Sequence, residues 1–235
     1  MDLFKYNFAI DLNIEYAHTK LIRLVGTHKK VLEYGCATGY MSKVLKEQFA
    51  CEVTGIELNR EAAEKAKEFC SQVIVGDVEN LDLSGLLEPN SFDVIIFADV
   101  LEHLSEPWTV LEKVARFLKN NGYVLASIPN IAHASVIVEL LNGKFDYKPL
   151  GLLDDTHLRF FTKESICRLF EKCGYVIGLI DRVTIPPQQT EFKTNMESIP
   201  GEVSDYMYRS NKEVETYQFI VKAFSAAVTC YIKPL

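Results

Sequence analysis

From about Lys30 onward the chain repeats one rhythm: a short β-rich apolar run, a turn, then a segment with helical periodicity. Strands that are apolar throughout need cover on both faces, and successive strands joined through helices lie parallel, so this alternation constrains the fold to an α/β sheet of the doubly wound kind. The runs are VLEYG (31–35), EVTGIEL (52–58), QVIVGD (72–77), DVIIFAD (93–99), YVLASI (123–128), GYVIGLI (174–180) and TYQFIVKAF (216–224). Seven strands in one mostly parallel sheet, the last antiparallel, with helices on both faces, is the expected Rossmann-like architecture.

Local punctuation places the helices. Asn59 precedes a segment with Ala62, Ala63, Ala66 and Cys70 on one side, Ser105 and Pro107 precede Val110, Leu111, Val114 and Leu118, and Thr162 and Gly174 bracket another helix. Upstream, Ile14, His18, Leu21 and Val25 share a helical face, while Phe4, Tyr6, Phe8 and Ile10 alternate as in a short strand. Residues 1–28 therefore read as an N-terminal cover and 29–235 as the main domain. Within it, 129–162 reads as an insert on the acceptor side and 186–213, polar and holding Pro186, Pro187, Pro200 and Gly201, as a loop with one short helix.

Thirty-two acidic against 25 basic residues, a net charge of −7, disfavour nucleic acid or an anionic membrane as partner. MDLFKYNFAIDLN does not read as a signal peptide and no apolar stretch approaches the ~20 residues of a membrane helix, so the expected location is cytoplasmic. Six scattered cysteines without a CxxC pair read as reduced packing residues.

The chemistry concentrates at strand ends. In VLEYGCATGY a strand carrying Glu33 turns through Gly35 and Gly39 into a helix beginning near Tyr40. A nicotinamide-binding G-x-G-x-x-G is absent, since Ala37 holds its second position. A carboxylate just ahead of the first glycine repels a pyrophosphate and attracts a ligand bearing an amino group and a sulfonium. Glu57 ends the second strand, where a carboxylate can accept from both hydroxyls of a ribose, or stand as a solvated strand-end acid. Asp77, in VGDVEN, reads alone as a turn or cap.

With these residues the chain resembles the class I S-adenosylmethionine-dependent methyltransferases, whose first motif is acidic-x-G-x-G-x-G with GCATG among its variants. The resemblance covers nearly the whole chain. It implies that Gly35, Cys36, Ala37, Gly39 and Tyr40 line the methionine end of S-adenosylmethionine and that Glu33 orients its amino group. It further implies that Glu57 and Leu58 meet the ribose, that Asp77 and Val78 read the adenine, and that Ala98 and Asp99 in FADVLEHL border the cofactor. S-adenosylhomocysteine would be the product. A subgroup associated with bacterial cell-surface polysaccharide pathways is similar in THLRFFT and YQFIVKA, with His18, His133, His157 and Arg159 at matching positions.

Methyl transfer is an in-line displacement, so the enzyme supplies alignment, exclusion of water and, for a hydroxyl acceptor, a base. His157, ranked first, His133 and His103 are the candidate bases, and His18 and Arg159 the candidate acceptor-binding residues. Each also has a structural reading: a helix cap for His157, a backbone contact for His133, helix packing for His103 and a core imidazole for His18. Asp154 and Asp155 are adjacent, point oppositely on an extended chain and read as a solvated turn, so no metal is expected. The expected activity is O-methylation of a small-molecule or glycan-linked acceptor. The alternatives are a non-catalytic S-adenosylmethionine-binding module and, further off, an NAD-dependent oxidoreductase.

Overall fold

The computed structural model describes residues 8–226. Seven strands form one sheet in the order β3-β2-β1-β4-β5-β7-β6: β1 (Lys30–Tyr34), β2 (Glu52–Glu57), β3 (Gln72–Val75), β4 (Phe92–Ala98), β5 (Leu118–Pro129), β6 (Tyr175–Thr184) and β7 (Thr216–Ser225). The first five pair parallel, and β7 runs antiparallel between β5 and β6. This is the expected Rossmann-like sheet with its antiparallel last strand.

Alternation within the central strands divides the core in two. Val31, Val94 and Ile96 face one side with Leu125 and Ile220, packed by Leu21 and Ile22 of α1 (Ala17–Val25), Met41 and Leu45 of α2 (Tyr40–Phe49) and Ala66 of α3 (Arg60–Ala66). Leu32, Ile95 and Phe97 face the other, under Val110, Leu111 and Val114 of α4 (Pro107–Val114) and Ile166 and Phe170 of α6 (Lys163–Lys172). Between β5 and α6 lies α5 (Ala134–Leu141), and α7 (Gly201–Ser210) is the one α-helix of the 186–213 stretch. That stretch is anchored, since Ile199, Met207 and Val214 pack with Ala134 and Val138 of α5.

Several boundaries move from their sequence expectation for identifiable reasons. The N-terminal helix starts at Ala17 and buries Leu21, Ile22 and Val25 against the sheet, so it is a layer of the fold, with Ile14 left exposed. Phe4 and Tyr6 lie outside the described residues, as does Cys230, and Phe8 and Ile10 form no strand. Strand β6 continues to Thr184, because its register with β7 runs on through Asp181 and Arg182, charged residues tolerated on an edge strand. Ser105 does not cap α4; the Ser105 and Glu106 amides donate to the carboxylate of Glu79, which satisfies the helix start from a neighbouring loop (3.1 and 2.7 Å).

Asn59 caps α3 as expected, accepting from the amides of Glu61 and Ala62. Thr162 and Ser165 form a reciprocal capping box at the start of α6. Thr162→Ala is expected to lower stability by about 1 kcal/mol in urea unfolding, with Thr162→Ser recovering most of it; equal losses would mean the hydroxyl cap contributes nothing.

Candidate active site

Because β1 to β5 are parallel, their C-terminal ends meet along one edge, and the loops leaving that edge hold the polar side chains. Gly35 has a φ of +68°, where a Cβ would meet Val100 Cγ2 at 2.8 Å, so the turn after β1 requires glycine. Gly39, at φ +80°, opens α2 against the backbone of Ala66, leaving 3.0 Å to an added Cβ. Between them Ala37 takes φ +47°, a left-handed conformation held in place because its N–H donates to Glu57 Oε2 at 2.9 Å. Glu57 Oε1 accepts from the Asn59 amide at 2.8 Å, so one carboxylate ties the turn after β1 to the turn after β2. Beside it Leu58 is 70% exposed, an apolar side chain standing in solvent on the same ledge.

Glu33 lies just beneath this ledge and is only 2% exposed. It accepts from the Ser42 hydroxyl. Burial pushes its carboxyl up to about 8, with the Ser42 hydrogen bond opposing and Cys70 and Glu57 adding to the rise. Cys36 is buried and faces Gly55, where a Cβ would come within 2.5 Å of its sulfur. Asp77 lies two residues past the end of β3, and its carboxylate accepts from the Glu79 amide and the Asn80 side chain, an Asx turn that leaves Val78 half-buried on the core.

At the end of β4, Ala98 and Asp99 are half-buried, and Asp99 takes φ +53°. Its Oδ1 accepts from Ser127 Oγ of β5 (2.6 Å) and from Gln218 Nε2 of β7 (2.8 Å). Its Oδ2 lies 3.6 Å from His18 Nε2, which also meets the Tyr40 hydroxyl at 3.0 Å. The His18 ring stacks on Phe8 with centroids 5.6 Å apart. Thus α1, α2, β4, β5 and β7 each contribute to one polar knot, and His18 belongs to the site edge and not to the core interior.

One turn further, Glu102 and His103 stand in the short 3₁₀ segment Leu101–His103. The insert returns here: the amides of Leu158 and Arg159 both donate to the Glu102 carbonyl at 2.9 Å, and the His103 and His157 rings pack edge to face at 4.8 Å. Burial and the neighbouring His103 lower His157 to about 4, so its imidazole is neutral at pH 7. Burial raises the Glu102 carboxyl well above the ordinary range, with Asp99 adding to it.

Two expected site residues are committed elsewhere. His133 is fully buried, with Nδ1 accepting from the Ser135 amide as the cap of α5 and Nε2 facing the Ile185 carbonyl at 2.9 Å. Both ring nitrogens are therefore engaged with backbone, which leaves no lone pair for a base. Arg159 donates through Nε and Nη2 to the Ser105 carbonyl and lies over the Trp108 ring at 5.2 Å, tethering the insert. Asp154, expected in a solvated turn, is buried and accepts from the Thr156 amide and hydroxyl, while Asp155 is exposed. Sequence reasoning passed over Glu102, Ser127 and Gln218 as site residues; only for Glu102 did a signal exist, its position beside His103 just past a strand-end acid.

Residues 11–178 match the family described as methyltransferase domain. The chain belongs to that family. It is an S-adenosylmethionine-dependent methyltransferase, which sets aside the oxidoreductase alternative and the non-catalytic one. Its relatives include the ubiquinone biosynthesis O-methyltransferase of Aeromonas salmonicida (strain A449), 25% identical over 70% of each chain. The protein of the same name from Histophilus somni (strain 2336) is 30% identical over 60% of this chain and 68% of its own length. In fold the chain is similar to a methyltransferase of Thermotoga maritima described as a possible histamine N-methyltransferase, with a TM-score of 0.60 at 20% identity over 88% of this chain and 87% of that one. Among the described residues no helix is long and apolar enough to cross a membrane.

The Glu33 environment carries a pH signature. The unfolded carboxyl titrates near 4.5 and the folded one near 8, so the stabilisation from its bound proton is complete below 4.5 and is lost as pH rises through 8. Glu33→Gln should gain on the wild type, in ligand-free urea midpoints, by at most about 1.4 kcal/mol per pH unit across that window. Parallel curves would show that Glu33 is ionised throughout.

Proposed function

We propose that this methyltransferase moves the methyl group of S-adenosylmethionine to an oxygen of a small-molecule or glycan-linked acceptor. The observation that carries the reading is the ledge itself: the turns after β1 and β2, joined through Glu57, run beside the Asp99 knot and the Glu102–His103–His157 cluster along one sheet edge.

The residues present fit the donor. Each Glu57 oxygen already accepts one N–H and keeps capacity for a ribose hydroxyl, and exposed Leu58 offers an apolar surface to the sugar and base. Gly35, Cys36, Ala37, Gly39 and Tyr40 would border the methionine portion, with Glu33 beneath its amino group. Asp77 and Val78 would meet the adenine, and Ala98 and Asp99 the methyl side. S-adenosylmethionine, when bound, supplies an electrophilic carbon already activated by its sulfonium.

The chain's own residues then align and exclude water. His18, held between Phe8, Tyr40 and Asp99, would meet the acceptor beside the ledge. The acceptor hydroxyl is placed at the cluster, where a neutral His157 or its partner His103 takes the proton as the oxygen attacks. His133 is left out of this step because both its ring nitrogens are engaged with backbone, and Arg159 because its Nε and Nη2 are held by the Ser105 carbonyl. The naming of relatives as O-methyltransferases supports oxygen over nitrogen as the acceptor atom.

Calorimetric titration with S-adenosylhomocysteine and with NAD tests the donor site: the first should bind and the second should not. Glu57→Ala should weaken that binding by roughly 1.5–3 kcal/mol for each charge-assisted hydrogen bond lost. His157→Ala should reduce turnover on a hydroxyl acceptor by about 10²–10⁴-fold with donor binding unchanged. Methylation of an arylamine in preference to the matching phenol would sink the oxygen reading.

A further inference from the structure

We propose that Cys36 and Cys70 form a redox-modification site: a peroxide joins their sulfurs in a disulfide, and that bond weakens the hold of the turn after β1 on the donor. Nothing in the spacing of the cysteines pairs these two, which stand far apart in the chain. The fold brings them together over Gly55 of β2. A Cβ added at Gly55 would lie 2.5 Å from Cys36 Sγ and 3.3 Å from Cys70 Sγ, so both sulfurs enter the space that the missing side chain leaves. A glycine inside a strand weakens it and marks a place where something must approach closely. Here that something is a pair of thiols, which also hydrogen-bond each other.

The two cysteines can move toward a common bond. Neither belongs to a helix or strand: Cys36 lies in the turn between β1 and α2, and Cys70 between α3 and β3. Closing a disulfide therefore shifts two loops and leaves the sheet in register. Cys70 is the more accessible of the two, 7% exposed against 0% for Cys36, so it is the sulfur an oxidant reaches first.

The surroundings separate the thiols into an attacking and a resolving member. The Cys70 thiol donates to Ser42 Oγ at 3.2 Å, and the Ser42 hydroxyl donates to Glu33. Thiol, hydroxyl and carboxylate in line give the Cys70 proton a path away from its sulfur. Hydrogen bonding with Cys36 holds the Cys70 thiol down at about 7 against burial, with Ser42 and Lys46 adding to the effect. The same hydrogen bond, and then burial, push Cys36 up. A thiolate is the nucleophile in sulfur oxidation, so the first step falls to Cys70.

The Cys70 thiolate attacks one oxygen of hydrogen peroxide. A sulfur–oxygen bond forms, the oxygen–oxygen bond breaks, and the departing hydroxide takes up the proton that Cys70 released, leaving as water. The Cys36 thiol then attacks the Cys70 sulfur. The sulfur–sulfur bond forms, the sulfur–oxygen bond breaks, and hydroxide leaves with the Cys36 proton as a second water. The two thiols lose two electrons, and the peroxide gains them. Cys36 stands between Gly35 and Ala37, both at positive φ, in a turn that the Ala37 bond to Glu57 holds in shape. Drawing its sulfur toward Cys70 displaces that backbone, and the effect on the donor rests on the placement of the methionine portion proposed above.

The test treats reduced full-length protein with hydrogen peroxide, blocks the remaining thiols and maps the peptides without reduction. A Cys36–Cys70 linked peptide, lighter by two hydrogens than the two free peptides together, is expected in preference to links through Cys51, Cys167 or Cys173. Calorimetric titration of the oxidised protein with S-adenosylhomocysteine should show affinity lower by about tenfold or more, the loss of roughly one charge-assisted hydrogen bond, and dithiothreitol should restore it. Cys70→Ala should bind equally well before and after peroxide. Absence of the linked peptide, unchanged affinity once it has formed, or an equal loss in peroxide-treated Cys70→Ala would overturn the proposal. Failure of the reduced wild type to bind S-adenosylhomocysteine would sink the donor placement, while the peptide map would still decide whether the two sulfurs pair.

Discussion

The central strand pair β1–β4 is the constraint from which the rest follows. Val31, Leu32, Val94, Ile95, Ile96 and Phe97 are all wholly buried, so both faces of these strands need apolar cover. Helices supply it, and a helix between neighbouring strands brings the chain back in the same direction. Parallel strands place all their C-terminal ends on one edge, and the apolar packing stops there. The active edge is thus a by-product of how the core is covered: where side chains no longer need to be apolar, Glu57, Asp77 and Asp99 appear, with Glu33 just below.

Those acids are not equivalent, and their environments separate them. Glu33 is buried, and burial pushes its carboxyl up to about 8. Glu57 accepts two backbone amides and couples two loops. Asp99 is held from three sides by Ser127, Gln218 and His18. Glu102 is buried with its oxygens unmet. One sheet edge therefore presents two buried carboxyls whose pKa is raised, Glu33 and Glu102, beside the anchored carboxylates of Glu57 and Asp99. Two of the left-handed non-glycine residues, Ala37 and Asp99, lie in the loops that these contacts over-determine, which is where such backbone strain can persist.

The sheet and its parallel order were legible in the sequence because buried parallel strands announce themselves as apolar runs and the glycine turn after β1 has its own pattern. Strand β6 was cut short in that reading because Asp181 and Arg182 look like a loop, and only the pairing with β7 shows otherwise. The histidines could not be sorted from sequence at all. His133 and His157 sit in similar settings, yet one caps a helix with both nitrogens engaged and the other packs against His103, a difference decided by Ile185 and Leu101–His103 from distant parts of the chain. Gln218 was equally invisible, since its role depends on the antiparallel register that sets it opposite Pro129.

The two ends of the site are built on different principles. The donor end rests on strand termini and on turns dictated by glycine, and it is stiffened by the same packing that holds the sheet. The proposed acceptor end lies where the segment after β4 meets the insert, through the Glu102 carbonyl, the Arg159–Ser105 clasp and the His103–Thr156 contact. Those bonds join residues about fifty positions apart, and the stretch between α5 and α6 that makes them holds no helix or strand of its own, so substitutions there can reshape this end of the proposed site without disturbing the sheet. On the proposed reading, a fold divided in this way would keep one donor while its acceptors diverge, and the identity of the acceptor would be set by residues 145–160 and the turn they grip far more than by the Rossmann-like core.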